Sequence, residues 1–116
     1  MNILDVLMPV VAEDFKATVS FYTETLGLAL KKEFSLSGFQ VAWLGPVVVL
    51  GSSNEEALAI PRQVAAIFVV DDLDAFWARL GSQTTVLVPP DEVPTGRRFI
   101  VRHPDGKAIE YLELRA

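Results

Sequence analysis

The sequence predicts an α+β fold made of two tandem βαβββ modules. Each half of the 116-residue chain reads as an apolar strand, an amphipathic helix and three short strands. Turn and cap residues of the two halves also match at a constant offset of 58 positions: Asp14 with Asp72, Gly38 with Gly96, and Pro46 with Pro104. These matches indicate an internal duplication. The length is that of one domain, so we place module one at about 1–53, a linker at 54–62 and module two at about 63–116.

The first module begins with an apolar strand at residues 4–12. Asp14 can cap the following helix, and Gly27 supplies its left-handed end. An apolar stripe at helical spacing supports this helix: Phe15, Val19, Tyr22 and Leu26. Gly and Pro residues then separate three predicted strands, at 28–37, 39–44 and 47–51.

The second module repeats this order. A strand at residues 64–71 leads to Asp72, which caps a helix that ends at Gly81. The apolar stripe of this helix is Leu73, Phe76, Trp77 and Leu80. The three remaining predicted strands lie at 84–88, 97–102 and 108–114.

Composition excludes several classes of function. The chain has no cysteine, which excludes disulfides, thiolate nucleophiles and thiolate metal sites. Its net charge of −5 argues against a nucleic-acid partner, and no apolar run approaches the roughly 20 residues of a membrane span. No signal peptide is visible, so we expect a cytoplasmic protein without a membrane partner.

The arginines gather late in the chain, at Arg97, Arg98, Arg102 and Arg115. Residues 1–58 carry 3 basic and 7 acidic side chains (net −4), whereas residues 59–116 carry 7 and 8 (net −1). The late arginines indicate either a solvated strand face or a pocket for an anionic or carbonyl-bearing ligand.

Three motifs resemble the vicinal oxygen chelate superfamily, which includes glyoxalase I, extradiol dioxygenases and the bleomycin and fosfomycin resistance proteins. The motifs are Asp14 with Phe21-Tyr22 and Leu26-Gly27-Leu28, Val70-Asp71-Asp72-Leu73, and Arg102-His103-Pro104-Asp105-Gly106 followed by Ile109-Glu110. The resemblance implies that the two modules form a curled mixed sheet, an open cup with the helices outside. It also implies a divalent metal in most of the enzymes, held by a His or Gln on each first strand and a Glu on each last strand.

Carried onto this sequence, three of those four ligand positions hold carbon side chains. The first falls on Leu7, the second on Ala65 and the third near residues 48–50, while the fourth is Glu110. Carbon side chains offer a metal no donor atoms, so we predict no metal and no other cofactor. The sole histidine, His103, is expected to be a surface turn residue.

The turn at residues 103–107 suits a type I turn with a glycine bulge. That geometry sets Ile100 opposite Glu110, and Arg98 opposite Leu112, so that Arg98 and Arg102 flank the carboxylate. A four-residue loop would instead place Phe99 and Val101 on that face. A buried Glu110 is then either paired with arginine or protonated. Three roles stay open for it: a structural ion pair, a polar anchor for a ligand, or a general acid or base.

We therefore predict a metal-independent protein that binds a small apolar or aromatic molecule in the cup. The alternatives are an enzyme of the same superfamily (a lyase, isomerase or dioxygenase) and a dimeric scaffold that binds nothing. A homodimer is expected in each case. Trp43 and Phe39 are expected in the core under the helices, or against a flat ligand if their strand has the other register. The predicted ligand-binding residues are Leu7, Trp43, Ala65, Ile67, Arg98, Arg102 and Glu110.

Overall fold

The computed structural model, which describes residues 1–115, contains the strand–helix–three-strand order twice. The first copy has β1 (Ile3–Val11), α1 (Phe15–Ser20), β2 (Lys32–Leu36), β3 (Phe39–Leu44) and β4 (Val47–Ser52). The second has β5 (Val64–Val70), α2 (Leu73–Leu80), β6 (Thr85–Val93), β7 (Gly96–Arg102) and β8 (Ala108–Leu114). A π-helical turn, Phe21–Thr25, continues α1, and two 3₁₀ turns, Glu56–Leu58 and Pro61–Gln63, connect the copies. The predicted α+β class with βαβββ modules is confirmed.

The strands follow the hydrogen-bonded order β2-β3-β4-β1-β5-β8-β7-β6, with parallel and antiparallel pairs. Contacts divide the described residues into a first unit, which comprises Met1–Leu7 and the chain from Gln63 onward, and a second unit, Met8–Arg62. The start of β1 pairs antiparallel with β5 in the first unit, and its end pairs parallel with β4 in the second. The contact units and the sequence repeat therefore divide β1 differently.

The core of the first unit lies under α2. Leu73 and Phe76 of the helix pack on the buried side chains of Phe99, Val101 and the strands beside them. Asp72 caps α2 by accepting a hydrogen bond from the Ala75 amide at 3.1 Å. The full buried cluster is Val70, Leu73, Phe76, Phe99, Val101, Ile109 and Tyr111.

The core of the second unit lies under α1. Asp14 caps this helix through the Ala17 amide at 3.0 Å, as the repeat predicts. Phe15 and Val19 of the helix pack on small and branched side chains of the sheet. The buried cluster is Ala12, Ala42, Leu44, Val47 and Val49.

Glycines shape the turns of the second unit. Gly27 follows the π-helical turn with φ +77°, the left-handed end that was predicted. Ser37 and Gly38 both have positive φ and close a two-residue hairpin between β2 and β3.

Two predicted strand boundaries are wrong. The strand predicted at residues 28–37 begins only at Lys32, because the Leu28 amide still donates to the Tyr22 carbonyl at the helix end, at 2.9 Å. The strand predicted at 84–88 continues to Val93, with register shifts that carry it past Pro89 and Pro90. Such irregularities allow proline within an edge strand.

Candidate ligand-binding site

Glu110 lies in the middle of a sheet face in the first unit, on the side away from α2. Its direct cross-strand neighbours are Ile67 on β5 and Ile100 on β7, and Leu7 on β1 is the next residue in that row. These three apolar side chains are 1–6% exposed. We call this surface the Glu110 face, defined by Leu7, Ile67, Arg98, Ile100, Glu110 and Leu112.

The turn between β7 and β8 sets the register of this face. The His103 amide donates to the Lys107 carbonyl at 2.8 Å, and the Gly106 amide donates to the His103 carbonyl at 2.9 Å. Gly106 has φ +89°, which completes the predicted turn and glycine bulge. Arg102, Ile100 and Arg98 consequently lie opposite Ala108, Glu110 and Leu112, and this predicted register is confirmed.

Arg98 lies between two carboxylates. Its Nε donates to Asp91 Oδ1 at 3.1 Å, whereas its Nη1 lies 3.6 Å from Glu110 Oε1. Hydrogen bonds from nitrogen to oxygen usually measure about 2.7–3.2 Å, so Asp91 is the closer partner. The Glu110 side chain is 17% exposed and that of Asp91 is 47% exposed.

Burial and nearby charges shift the ionisation equilibrium of Glu110. Burial raises the pKa of the Glu110 carboxyl, because an ionised carboxylate loses its hydration there. The positive charge of Arg98 and its hydrogen-bonding group offset part of this, while the negative charge of Asp91 raises the pKa further.

Arg102 has the predicted register position diagonal to Glu110, but its guanidinium is bonded elsewhere. It donates to the Gly106 carbonyl at 3.0 Å and to Gln63 Oε1 at 2.7 Å. The turn thus holds the guanidinium at the end of the hairpin, because the Gly106 carbonyl and Gln63 offer it acceptors there.

Ala65 is also displaced from its predicted place. The register of β5 shifts between Val64, which pairs with Ala108, and Ala66, which pairs with Ile109. Ala65 is the exposed extra residue at this bulge. It therefore leaves the row of paired side chains, whereas Leu7 and Ile67 remain on the Glu110 face.

The residues of the first unit do not fit the divalent metal that the resemblance implies. Leu7 and Ala65 occupy two ligand positions and provide no donor atom. Within residues 1–115, no group of three or more His, Cys, Asp or Glu side chains is placed to hold a metal ion. No chemical step is therefore assigned to a metal at Glu110.

Trp43 belongs to a sheet face of the second unit. Its neighbours Ala42 and Leu44 are buried under α1, so the intervening Trp43 projects from the other side of β3. The expectation that Trp43 and Phe39 lie under the helices is wrong, because β3 has the alternative register. We call this surface the Trp43 face, and its half-buried members are Phe34, Phe39, Val41, Trp43, Val48 and Leu50.

The Trp43 ring is held in place by its polar edge. Nε1 donates to the Gly45 carbonyl at 2.7 Å, and Lys31 Nζ lies 5.4 Å from the ring centroid. Lys32 Nζ lies 5.9 Å from the ring of Phe34 in the same way. With its N–H bonded, the indole offers a ligand only its aromatic surface.

His103 is more than the surface turn residue that was expected. Its Nε2 lies 2.8 Å from the Tyr111 hydroxyl, and its ring contacts Phe68 and Tyr111. Because Tyr111 belongs to the core under α2, His103 provides a partner for a buried hydroxyl.

Asp91 was not predicted as a site residue. It lies opposite Arg98, because a two-residue turn at Pro94-Thr95 pairs Val93 with Gly96. That turn was the available signal: counting back from it would have placed Asp91 beside Arg98. The register shifts farther along β6 carry no comparable signal.

The comparisons with known proteins identify the family. The sequence model of the Glyoxalase/Bleomycin resistance protein/Dioxygenase superfamily matches residues 3–111. An uncharacterised protein from Methanosarcina mazei is 34% identical over 99% of this chain and 95% of its own, with a TM-score of 0.84. A search of curated proteins gave no significant match.

Two further solved structures share the fold at lower identity. Methylmalonyl-CoA epimerase from Mycobacterium tuberculosis is 20% identical over 98% of this chain and 90% of its own, with a TM-score of 0.79. A superfamily member from Vibrio splendidus 12B01 is 20% identical over 93% and 97%, with a TM-score of 0.64. Given the match over residues 3–111, the chain belongs to the Glyoxalase/Bleomycin resistance protein/Dioxygenase superfamily.

Proposed function

We propose that the chain binds a small apolar or aromatic molecule on the Glu110 face without a metal ion. The observation that carries this proposal is the isolation of Glu110. It is the only one of the four implied metal-ligand positions that has a donor atom, and its row neighbours are Leu7, Ile67 and Ile100. A face of this composition suits an apolar ligand body with one polar group.

Polar contacts on this face are few and fixed. Arg98 is held by Asp91, and the Glu110 carboxyl lies beside it among apolar side chains. A few placed polar groups in an apolar surface orient a ligand, while the apolar contacts supply most of its affinity. A structural ion pair is the alternative role of this arrangement, and a ligand screen distinguishes the two roles.

Within the second unit, the Trp43 face is a separate surface that suits an aromatic molecule. It presents Phe34, Phe39 and Trp43 half-buried beside aliphatic side chains. We therefore propose Trp43 as a ligand contact through its ring surface. The other tryptophan, Trp77, packs against Phe99 in the core, with ring centroids 5.1 Å apart. The fluorescence of a Trp77→Phe variant would consequently report Trp43 alone.

The test is a ligand screen on chelator-treated protein. Aromatic ketones, amides, carboxylates and amines would be added to ¹⁵N-labelled protein in EDTA, and amide shifts would be followed by NMR. We expect binding with shifts centred on Leu7, Ile67, Ile100 and Glu110. Absence of any binder, shifts confined to other surfaces, or binding only after nickel, zinc, iron or manganese is added would contradict the proposal.

A second candidate function is proton transfer by Glu110. The raised pKa of a carboxyl in an apolar environment is the observation that favours it, because acid–base catalysts carry such shifts. Methylmalonyl-CoA epimerases share the fold, but at 20–22% identity they carry no assignment of substrate. Enzyme-dependent uptake of solvent deuterium next to a ligand carbonyl, lost in Glu110→Gln, would support it. Wild-type protein that binds ketones without exchange would exclude it for those ligands.

A further inference from the structure

We propose that Glu110 is a neutral carboxylic acid near neutral pH and donates a hydrogen bond to an uncharged carbonyl group of the ligand. This inference rests on the proposed function and names the chemical class of its ligand. The family resemblance implies a metal-bound carboxylate at residue 110, whereas here the carboxyl would act as a hydrogen-bond donor.

Two carboxylates, Asp91 and Glu110, compete for Arg98. One guanidinium serves two carboxylates, and it bonds to Asp91 at 3.1 Å but approaches Glu110 only to 3.6 Å. Asp91 is the more exposed of the two carboxylates. The charge of Arg98 is thus already matched, and an ionised Glu110 would add an unmatched negative charge.

Buried apolar side chains surround Glu110. Ile67 and Ile100 lie directly beside it across the sheet, and Ala108 and Leu112 are its neighbours on the same side of β8. All four are 1–6% exposed. A charged carboxylate among such groups is strongly disfavoured unless paired, so the more buried carboxyl is the one that holds a proton.

The remaining charged groups on this face do not neutralise the charge that an ionised Glu110 would carry. Asp5 on β1 is exposed and accepts a hydrogen bond from the Val6 amide. Arg102 on β7 is bonded to Gly106 and Gln63 at the end of the hairpin. The paired residues of β5 on this face, Val64, Ile67 and Val69, are apolar.

Burial also favours the protonated form of the Glu110 carboxyl over the ionised form. It raises the pKa of the Glu110 carboxyl, and Arg98 offsets this only in part. A protonated carboxyl has one O–H donor, whereas a carboxylate only accepts hydrogen bonds. The partner that matches this donor in an apolar surface is an uncharged ketone, ester or amide oxygen.

The protonation state is tested without a ligand. In ¹³C-labelled protein, the side-chain carboxyl resonance of Glu110 is assigned by its absence in Glu110→Gln and followed through a pH titration. We expect a protonated signal near neutral pH that titrates above the usual range of glutamate. An ionised signal at neutral pH would overturn the assignment of a neutral acid and leave metal-free binding untouched.

The ligand class is tested with three probes of one ring size: acetophenone, benzoate and benzylamine. We expect acetophenone to bind tightest, and its affinity to fall as Glu110 ionises. In Glu110→Gln, whose amide also donates, its affinity should stay within about threefold and lose the pH dependence. In Glu110→Leu it should fall about tenfold, the size of one lost hydrogen bond. Glu33→Gln, an exposed change on β2, is the control and should match the wild type.

Tighter binding of benzylamine or benzoate would overturn the assignment of a neutral donor, since it would show that the face prefers a charged ligand. Equal acetophenone affinities in Glu110→Leu and the wild type would also overturn it. A protonated Glu110 in a protein that binds none of the probes would overturn the ligand assignment together with the proposed function.

Discussion

At the scale of single residues, Leu7 and Glu110 both occupy positions of implied metal ligands, but only Glu110 has donor atoms in its side chain. Both positions were identified from sequence, because the motifs of the family set their spacing. The structure confirms the register that places Glu110 beside Ile100, and shows Leu7 in the same row. Sequence did not predict that Arg98 would favour Asp91, because that preference depends on distances of a few tenths of an ångström.

The raised pKa of Glu110 predicts a pH-dependent stability. A carboxyl whose pKa is raised by folding stabilises the folded state below its ordinary value of 4.5, and this is lost as pH rises through the folded pKa. Glu110→Gln has no such titration. Urea unfolding should therefore show the variant gaining free energy of unfolding relative to the wild type as pH rises above 4.5. The control Glu33→Gln should show no such trend, and a constant difference for Glu110→Gln would contradict the prediction.

Gly96 is required by a close approach of main chains. A Cβ at this position would overlap the main-chain carbonyl of Glu113 on β8. Because backbone cannot move aside as a flexible side chain can, Gly96→Ala should lower the free energy of unfolding by about 1–3 kcal/mol or more. Thr95→Ala in the same turn is the control. Equal unfolding midpoints for the two variants would contradict this account of Gly96.

At the scale of elements, the caps follow directly from sequence. Asp14 and Asp72, 58 positions apart, each accept a hydrogen bond from the amide three residues later. In α2 a carboxylate oxygen of Glu113 also accepts from the Leu73 amide at 2.8 Å, which adds a second acceptor at that helix start. Caps are predictable because they depend on a few adjacent residues.

The cap of α2 should contribute measurably to stability. Asp72→Ala removes the acceptor for the Ala75 amide and should lower the free energy of unfolding by about 1 kcal/mol. Asp72→Asn keeps an acceptor and should lower it less. Chemical denaturation of both variants is the measurement. Equal losses would show that the hydrogen bond is not the source of the effect.

The elements that sequence did not predict are those shaped by long-range pairing. The bulge at Ala65 and the register shifts of β6 depend on neighbouring strands, which local propensity does not describe. The side of β3 from which Trp43 projects was also not predicted, because apolar residues lie on both sides of this strand.

At the scale of the whole molecule, the duplication predicts the order of elements inside each copy. It does not predict that β1 divides between the two contact units, because β1 pairs with β5 over its first part and with β4 over its last. Among the described residues, no helix combines the length and apolar character needed to cross a membrane.

We expect the chain to form a homodimer. The outer strands β2 and β6 each have one edge without a partner strand in the described chain, and such edges favour association. Light scattering coupled to size-exclusion chromatography should give twice the chain mass of 12.7 kDa. A monomer mass at every protein concentration would contradict this expectation.

Ligand binding on the Glu110 face should require no metal ion. The most direct measurement is the dissociation constant of acetophenone, determined by NMR on protein before and after EDTA treatment, and again after addition of nickel, zinc, iron or manganese. We expect one unchanged dissociation constant throughout. Loss of binding on chelation, with recovery when one of these metals is restored, would contradict it.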